Sequence, residues 1–285
     1  MWTKVVNMRS QYQLIELFHD PETGHLKLEL NGCLQFHSAD EYRYHEFAIH
    51  SAVLVNYYNV GRITILGGGD GLACREALKI ADSVTIVDID KDMTELAKNN
   101  ELLKALNKNA MNDKRVKIIN MDAFKYALRD REKAEIVFCD YPDPTSPVLG
   151  KLYTKEHYQQ IKDHLLRNNG VLIVQSGGAL MYPFMAYMGN TLASIFKQIL
   201  FAKVEMINGI QGFIIASDEF GNYNDWSCFK NIDLKAFNNE MFWGAIRWSK
   251  DQRQQLSKVP EINDPYLVYV YSLAWMEYLS GNRRM

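Results

Sequence analysis

Short apolar runs bounded by turn formers recur through the middle of the chain. Ile63 to Leu66, Val84 to Val87, Val116 to Ile119, Ala134 to Cys139 and Gly170 to Gln175 are rich in β-branched residues. Such runs read as strands covered on both faces, as in a parallel sheet. Helix-forming stretches lie between them, Leu72 to Lys79 after the first run and Tyr182 to about Leu200 after the last. The N-terminal part has a different period. Over residues 11–37, Tyr12, Leu14 and Glu16 fall on one side of a first strand, with Ile15 and Leu17 on the other. His25 to Leu30 alternates polar and apolar, the mark of a half-buried strand. Asn31-Gly32 then turns the chain into Cys33 to His37, which predicts a small antiparallel unit ahead of the main sheet. Ser38-Ala-Asp-Glu41 has the form of a capping box and predicts a helix to about Val55, with Phe47, Ala48, Ser51, Ala52 and Val55 facing inward. Farther on, Val204 to Ile207 and Ile210 to Ala216 flank Asn208-Gly209, which predicts a hairpin with a type I′ turn. Leu267 to Met276 reads as core cover or subunit contact.

Glycines mark where this pattern acquires chemistry. The first central strand runs into Gly67-Gly-Gly-Asp70-Gly71 and then into helix, the nucleotide-binding corner of an open α/β sheet. A dinucleotide fingerprint counted from Gly67 would need a third glycine where Leu72 stands, and no Gly-Lys-Ser/Thr follows. A pyrophosphate here would meet the Asp70 carboxylate. The loop therefore suits a nucleoside bearing a sulfonium or ammonium; capping of the next helix would explain Asp70 but not the three glycines before it.

Acids recur at the following strand ends. Asp88 lies twenty residues after Gly68, where an acid takes ribose hydroxyls; helix capping suits Asp90 better. Asp122 follows the third run, where an adenine amino group could be read. Asp140 and Asp143 follow the fourth, stiffened by Pro142, Pro144 and Pro147. Asp and Pro are ordinary turn formers, but this strand end belongs beside the glycine loop. Gln175 ends the fifth. Asp40, Glu41, Tyr44, His45 and Glu46 crowd the first turns of the predicted helix; macrodipole complementarity accounts for Glu41 but not for Tyr44 beside His45.

Composition narrows the class. At 285 residues with net charge −2, one sizeable core is expected, and no basic stripe points to nucleic acid. Cys33, Cys74, Cys139 and Cys228 are scattered without a CxxC, as reduced thiols are; no metal site is expected. The N-terminus lacks an apolar signal core, and the uncharged stretch Val171 to Phe196 is broken by Gly, Pro, Gln and Asn, so a cytoplasmic chain with no membrane partner is expected. Parallel strands closed by an antiparallel hairpin match an α/β, Rossmann-like class I sheet of adenosylmethionine-dependent transferases, here with a small N-terminal β unit. The expected division is a β unit plus gate helix over 1–59, a catalytic domain over 60–220 and a C-terminal extension over 221–285.

In order, the motifs resemble the spermidine synthases, the polyamine aminopropyltransferases. Those carrying the resemblance are Gln13, Leu30-Asn-Gly-Cys-Leu-Gln35, Asp40-Glu-Tyr-Arg-Tyr-His-Glu46, Gly67 to Gly71, Val87-Asp-Ile-Asp90, Asp122-Ala123, Asp140-x-x-Asp-Pro144 and Val174-Gln175. The form Asp140-Tyr-Pro-Asp-Pro to Leu149-Gly-Lys-Leu-Tyr153 looks most like the branch whose catalytic domain is often fused to membrane helices, with no such helices expected in this sequence.

The resemblance implies decarboxylated S-adenosylmethionine as donor substrate, no prosthetic group, a primary amine such as putrescine as acceptor, and a homodimer. It implies that Gln13, Gln35, Gly67, Gly69, Asp88, Asp122, Ala123 and Pro147 hold the donor and its methylthioadenosine product. His45, Asp70, Asp140, Asp143 and Gln175 would take the aminopropyl and polyamine cations. Asp140 would be the base, with Tyr44 and Asp143 shaping the amine site. Where family members carry an aromatic, proline-containing acceptor loop, this chain has Asn208-Gly209. An adenosylmethionine-dependent N-methyltransferase and a non-catalytic polyamine-binding homologue are the alternatives.

Overall fold

The computed structural model describes residues 1–56 and 60–256. Leu267 to Met276 lies outside them. Two sheets build the described residues. The first is antiparallel, in the order β1 (Thr3–Arg9), β2 (Leu14–His19), β3 (Leu26–Leu30), β4 (Cys33–His37). Helix α1 (Glu41–Val55) leads into the second sheet. There β5 (Arg62–Gly67), α2 (Leu72–Ala77), β6 (Ser83–Asp88), α3 (Lys91–Asn99), α4 (Glu101–Leu106), β7 (Val116–Asn120), α5 (Ala123–Ala127) and β8 (Ala134–Asp140) follow in turn. The chain continues through α6 (Pro147–Gly150), α7 (Lys155–His164), β9 (Leu166–Gly178), α8 (Tyr182–Ala193), β10 (Gln198–Met206), β11 (Gly209–Ser217), α9 (Asn239–Ala245) and α10 (Lys250–Leu256).

Seven strands lie in the order β10-β11-β9-β8-β5-β6-β7. The five central runs pair in parallel, and the terminal hairpin closes the edge antiparallel. Both faces of the inner strands β5, β6, β8 and β9 are largely buried, which is why those runs lack alternation, while the edge strand β7 is only partly covered. Ile63, Ile65, Ile86, Ile136, Phe138 and Ile173 join one apolar cluster, together with α1 and the inner face of the N-terminal sheet. Leu66, Val87, Val137, Cys139, Leu172 and Val174 point into the other. Among the described residues all four cysteines are free, and no helix is long and apolar enough to cross a membrane.

Several elements depart from the sequence pattern. Strand β1 was not expected; it is a largely exposed edge, so it carries almost no burial signal. The capping box does not form. Ser38 Oγ accepts from Leu26 N at 2.8 Å, and Glu41 turns instead to Arg75. Helix α8 stops at Ala193, and β10 folds back beneath it, with Phe201 against Gly189. The hairpin turn is Ile207-Asn208, not Asn208-Gly209: Met206 pairs with Gly209, and neither turn residue has positive φ. Asp40 Oδ2 holds it there by accepting from Ile207 N at 2.6 Å. The turn at Asn31-Gly32 does take positive φ at both positions, at 52° and 77°.

Candidate active site

The carboxyl ends of β5 to β9 share one edge of the sheet. Gly67 pairs with Asp140 in register. A Cβ on Gly67, whose φ is 91°, would sit 2.1 Å from the Asp140 carbonyl oxygen, so only glycine lets the loop cross β8. At Gly69 the constraint comes from the other neighbour. A Cβ there would lie 2.6 Å from Asp88 Oδ2, and the Gly69 N–H donates to that oxygen at 3.0 Å.

Asp88 Oδ1 also accepts from Asp90 N, at 2.8 Å. Burial pushes Asp88 up to about 6; these N–H groups oppose the rise, and the charges of Asp90 and Asp70 add to it. Asp90 caps α3 through Asp92 N and Met93 N. It also receives Ser10 Oγ at 2.6 Å and Gln13 Nε2 at 2.8 Å, which ties the segment before β2 to the end of β6. Asp122 caps α5, with Ala123 as its first residue, and accepts from Phe124 N at 2.9 Å. Its other oxygen pairs with Lys151 Nζ at 2.6 Å. Burial alone would raise Asp122, but the ammonium and the N–H outweigh it and hold it below the usual carboxylate range.

Helix α1 places aromatic and cationic groups over this edge. Tyr44 donates its hydroxyl to Asp140 Oδ1 at 2.6 Å. Its phenol is held well above its usual pKa, first by burial and then by Asp140, so it stays a donor. Asp140 is only partly covered, yet its low-dielectric surroundings push it up to about 6. His45 opposes that rise and Asp70 adds to it. Asp70 accepts from Leu72 N at 2.9 Å and is likewise raised by burial. His45 is buried, which alone would favour the neutral ring. Its Nδ1 contact with Glu41 at 2.8 Å, and the charges of Glu41, Asp70 and Asp140, raise its pKa instead.

The chain beyond β8 completes the edge. Asp143 Oδ1 accepts from Gln175 Nε2 at 3.0 Å. Pro147 opens α6, which Ser146 caps. On exposed β4, Gln35 Nε2 donates to Cys33 O at 3.0 Å, and no hydrogen bond among the described residues joins it to this edge.

Sequence reasoning missed four contributors. Arg75, with its Nη1 at 2.8 Å and Nη2 at 2.9 Å from Glu41, fixes the partner of His45. Lys151 answers Asp122. Tyr153 donates to Pro142 O at 2.9 Å and receives Gln175 Nε2 at 3.2 Å. Gln211 bonds the far side of Gln175. Lys151 and Tyr153 stood within a quoted motif without a role, and Arg75 and Gln211 carry no local signal.

Among the described residues, no lysine or arginine forms an ion pair with Asp70, Asp88 or Asp140. The electrostatics of such an edge suit cations and hydroxyls better than phosphate.

A family model described as "Spermine/spermidine synthase domain" matches residues 41–223. The chain is 34% identical over 277 residues to a polyamine aminopropyltransferase of Oceanobacillus iheyensis, covering 94% of this chain and 53% of that protein. It is 32% identical over 277 residues to one of Leptospira interrogans, covering 95% and 54%. The chain thus spans about half the length of these curated relatives. A spermidine synthase from Thermotoga maritima superposes with a TM-score of 0.79 at 22% identity, covering 89% of this chain and 87% of that one. A spermidine synthase in complex with the transition-state analogue AdoDATO gives 0.80 at 23% identity, covering 89% and 88%. At those identities the likeness shows the fold.

Proposed function

The chain belongs to the spermine/spermidine synthase family, and from that premise we propose that it transfers the aminopropyl group of decarboxylated S-adenosylmethionine to a primary amine, with putrescine the default acceptor. The products are 5′-methylthioadenosine and the amine extended by one aminopropyl unit, spermidine from putrescine.

The observation that carries this reading is the Tyr44–Asp140 pair at 2.6 Å, set beside Asp70 and Asp88, none of the three acids forming an ion pair with a lysine or arginine among the described residues. An alkyl amine titrates near the lysine value of about 10.4 and arrives protonated. To attack, it must lose that proton to a base within hydrogen-bond reach. Asp140, poised near 6, accepts it. Tyr44 occupies Oδ1 and leaves Oδ2 for the amine. The nitrogen then attacks the aminopropyl carbon bonded to sulfur. The C–S bond breaks, its electron pair stays on sulfur, and the sulfonium becomes a neutral thioether. Holding amine and donor in line supplies much of the rate.

The other acids divide the substrates. Asp88 takes the ribose hydroxyls, Asp122 with Ala123 reads the adenine edge, and Gln13 and Pro147 border the nucleoside. Asp70, with His45, receives the aminopropyl ammonium and repels the carboxylate of intact S-adenosylmethionine. Asp143 and Gln175 line the amine end.

Mass spectrometry of a reaction with decarboxylated S-adenosylmethionine and a panel of diamines and polyamines tests this reading. Methylthioadenosine with an aminopropylated amine is expected. A methylated amine from intact S-adenosylmethionine would make the chain a methyltransferase. Binding of methylthioadenosine without turnover from either donor would make it a non-catalytic homologue.

A further inference from the structure

We infer that Gln211 is a positioning residue for the acceptor amine: it fixes the amide of Gln175 so that the Gln175 NH2 always faces Asp143. The inference rests on the aminopropyl-transfer reading and concerns the end of the site where the chain departs from its family.

The geometry starts with an irregular strand pair. Gln211 lies opposite Gly178, and the register of β11 on β9 shifts between Gln211 and Phe213. Such irregularities re-aim one side chain. Gly212 makes this one possible, since a Cβ there would fall 2.6 Å from Ser176 Oγ and 3.2 Å from Gly177 O. The side chain of Gln211 turns inward and donates from Nε2 to Gln175 Oε1 at 2.8 Å and to Gly177 O at 2.8 Å.

Gln175 is 6% exposed, so the direction of its amide is set by its partners. Its Oε1 accepts from Gly177 N at 2.7 Å and from Gln211 at 2.8 Å, which uses both lone pairs. Its Nε2 faces only acceptors: Tyr141 O at 2.6 Å, Asp143 Oδ1 at 3.0 Å and Tyr153 OH at 3.2 Å. A reversed amide would set oxygen against Asp143 and Tyr141 O while turning N–H groups toward Gly177 N and Gln211. The network therefore has one polarity. Among the described residues, Gln211 is the one side-chain donor to the oxygen of that amide; the other donor is backbone.

One consequence concerns Asp143. With Oδ1 anchored by an N–H, the carboxylate is held in place to receive an ammonium. Without the anchor, the carboxylate loses one of the contacts that hold it in place for the ammonium, which costs acceptor affinity. Among the described residues Gln211 has no hydrogen bond to the donor residues or to Asp140, so donor affinity and the proton-transfer step are expected to be unchanged.

Two variants separate this role from packing. Gln211→Leu removes the donor and keeps similar volume. Gln211→Glu replaces it with an acceptor facing Gln175 Oε1 and Gly177 O. Steady-state turnover of the full chain with decarboxylated S-adenosylmethionine and putrescine is measured alongside calorimetric binding of methylthioadenosine. Gln211→Leu should raise the KM for the amine about tenfold, with kcat and the methylthioadenosine Kd within about twofold of wild type, and Gln211→Glu should raise that KM further. Combining Gln211→Leu with Gln175→Leu should add little to Gln175→Leu alone.

Active wild type with an unchanged amine KM in Gln211→Leu would overturn this inference and leave the parent reading standing. So would additive effects in the double variant, or equal losses in amine and donor binding. A wild-type protein that transfers no aminopropyl group would overturn the parent reading, and this one with it.

Discussion

Two sets of acids near the candidate site behave in opposite ways. Glu41, Glu46 and Glu76 lie behind the candidate site and are fully answered. Glu41 is gripped by Arg75 and His45. Glu76 receives Arg75 Nε at 2.8 Å, Lys79 at 2.7 Å and His50 at 3.1 Å. Glu46 accepts three backbone N–H groups, from Lys235, Ala236 and Phe237, at 2.7–2.9 Å. Asp70, Asp88 and Asp140 line the candidate site, where N–H and hydroxyl groups and the field of His45 answer them, and no lysine or arginine among the described residues forms an ion pair with them. The pKa values follow the partners rather than the burial: Glu76 is drawn down to about 2 and Glu41 lowered, while Asp88 and Asp140 stand near 6. Burial costs both sets. One recovers that cost inside the protein, and under the proposed function the other leaves it for a ligand cation to recover.

The largest expected effect lies in the unanswered set. Asp140→Asn should lower kcat roughly 100- to 10,000-fold while methylthioadenosine binding, read by calorimetry, is kept. Retained turnover would remove Asp140 as the base. Next comes the answered set. Arg75→Met leaves Glu41 and Glu76 without their shared guanidinium, and denaturant unfolding should show a loss of about 3–5 kcal/mol. A loss below about 1 kcal/mol would mean that the two sets do not differ as described.

The sharpest contrast is one of sign. Asp140→Asn should stabilise the unliganded protein at about pH 8, by roughly 1–3 kcal/mol. A carboxyl whose folded pKa is raised penalises the fold where it is ionised, and the penalty fades as pH falls through 6 toward the unfolded value of 3.8. The gain should therefore vanish near pH 4. Thermal unfolding at the two pH values checks this, and a variant less stable than wild type at about pH 8 would contradict it. In the wild type, the acid limb of kcat/KM should lie near 6, because the base must be ionised. Saturating amine should move the limb of kcat lower, since a bound ammonium favours the carboxylate. The smallest effect belongs to Asp122, which has one foot in each set. Lys151→Met breaks a half-exposed pair and should cost no more than about 1 kcal/mol in unfolding experiments, while raising the pKa of Asp122 read by carboxyl NMR.

This contrast explains what could be read from the chain alone. The five central strands and their terminal acids were legible because a doubly covered strand must be apolar and must end in a turn, so Gly67, Asp88, Asp122, Asp140 and Gln175 mark one edge without any contact being known. The answering partners were not legible. Arg75 finds Glu41 across two helices, and Lys151 finds Asp122 from another loop; neither separation leaves a local pattern. Ser38 and Glu41 misled for the same reason, because their capping groups were already engaged by Leu26 and Arg75. Gln211 depends on a register shift that no composition announces, and β1 is too exposed to show a period.

The central claim is that Asp140 waits, partly protonated, for a cation. Calorimetric titration of a diamine into the methylthioadenosine-loaded protein near pH 6, repeated in buffers of different ionisation enthalpy, measures it directly. The account predicts that binding releases protons from the protein and that Asp140→Asn removes most of that release. Binding with no proton exchange, or with release unchanged in Asp140→Asn, would contradict it.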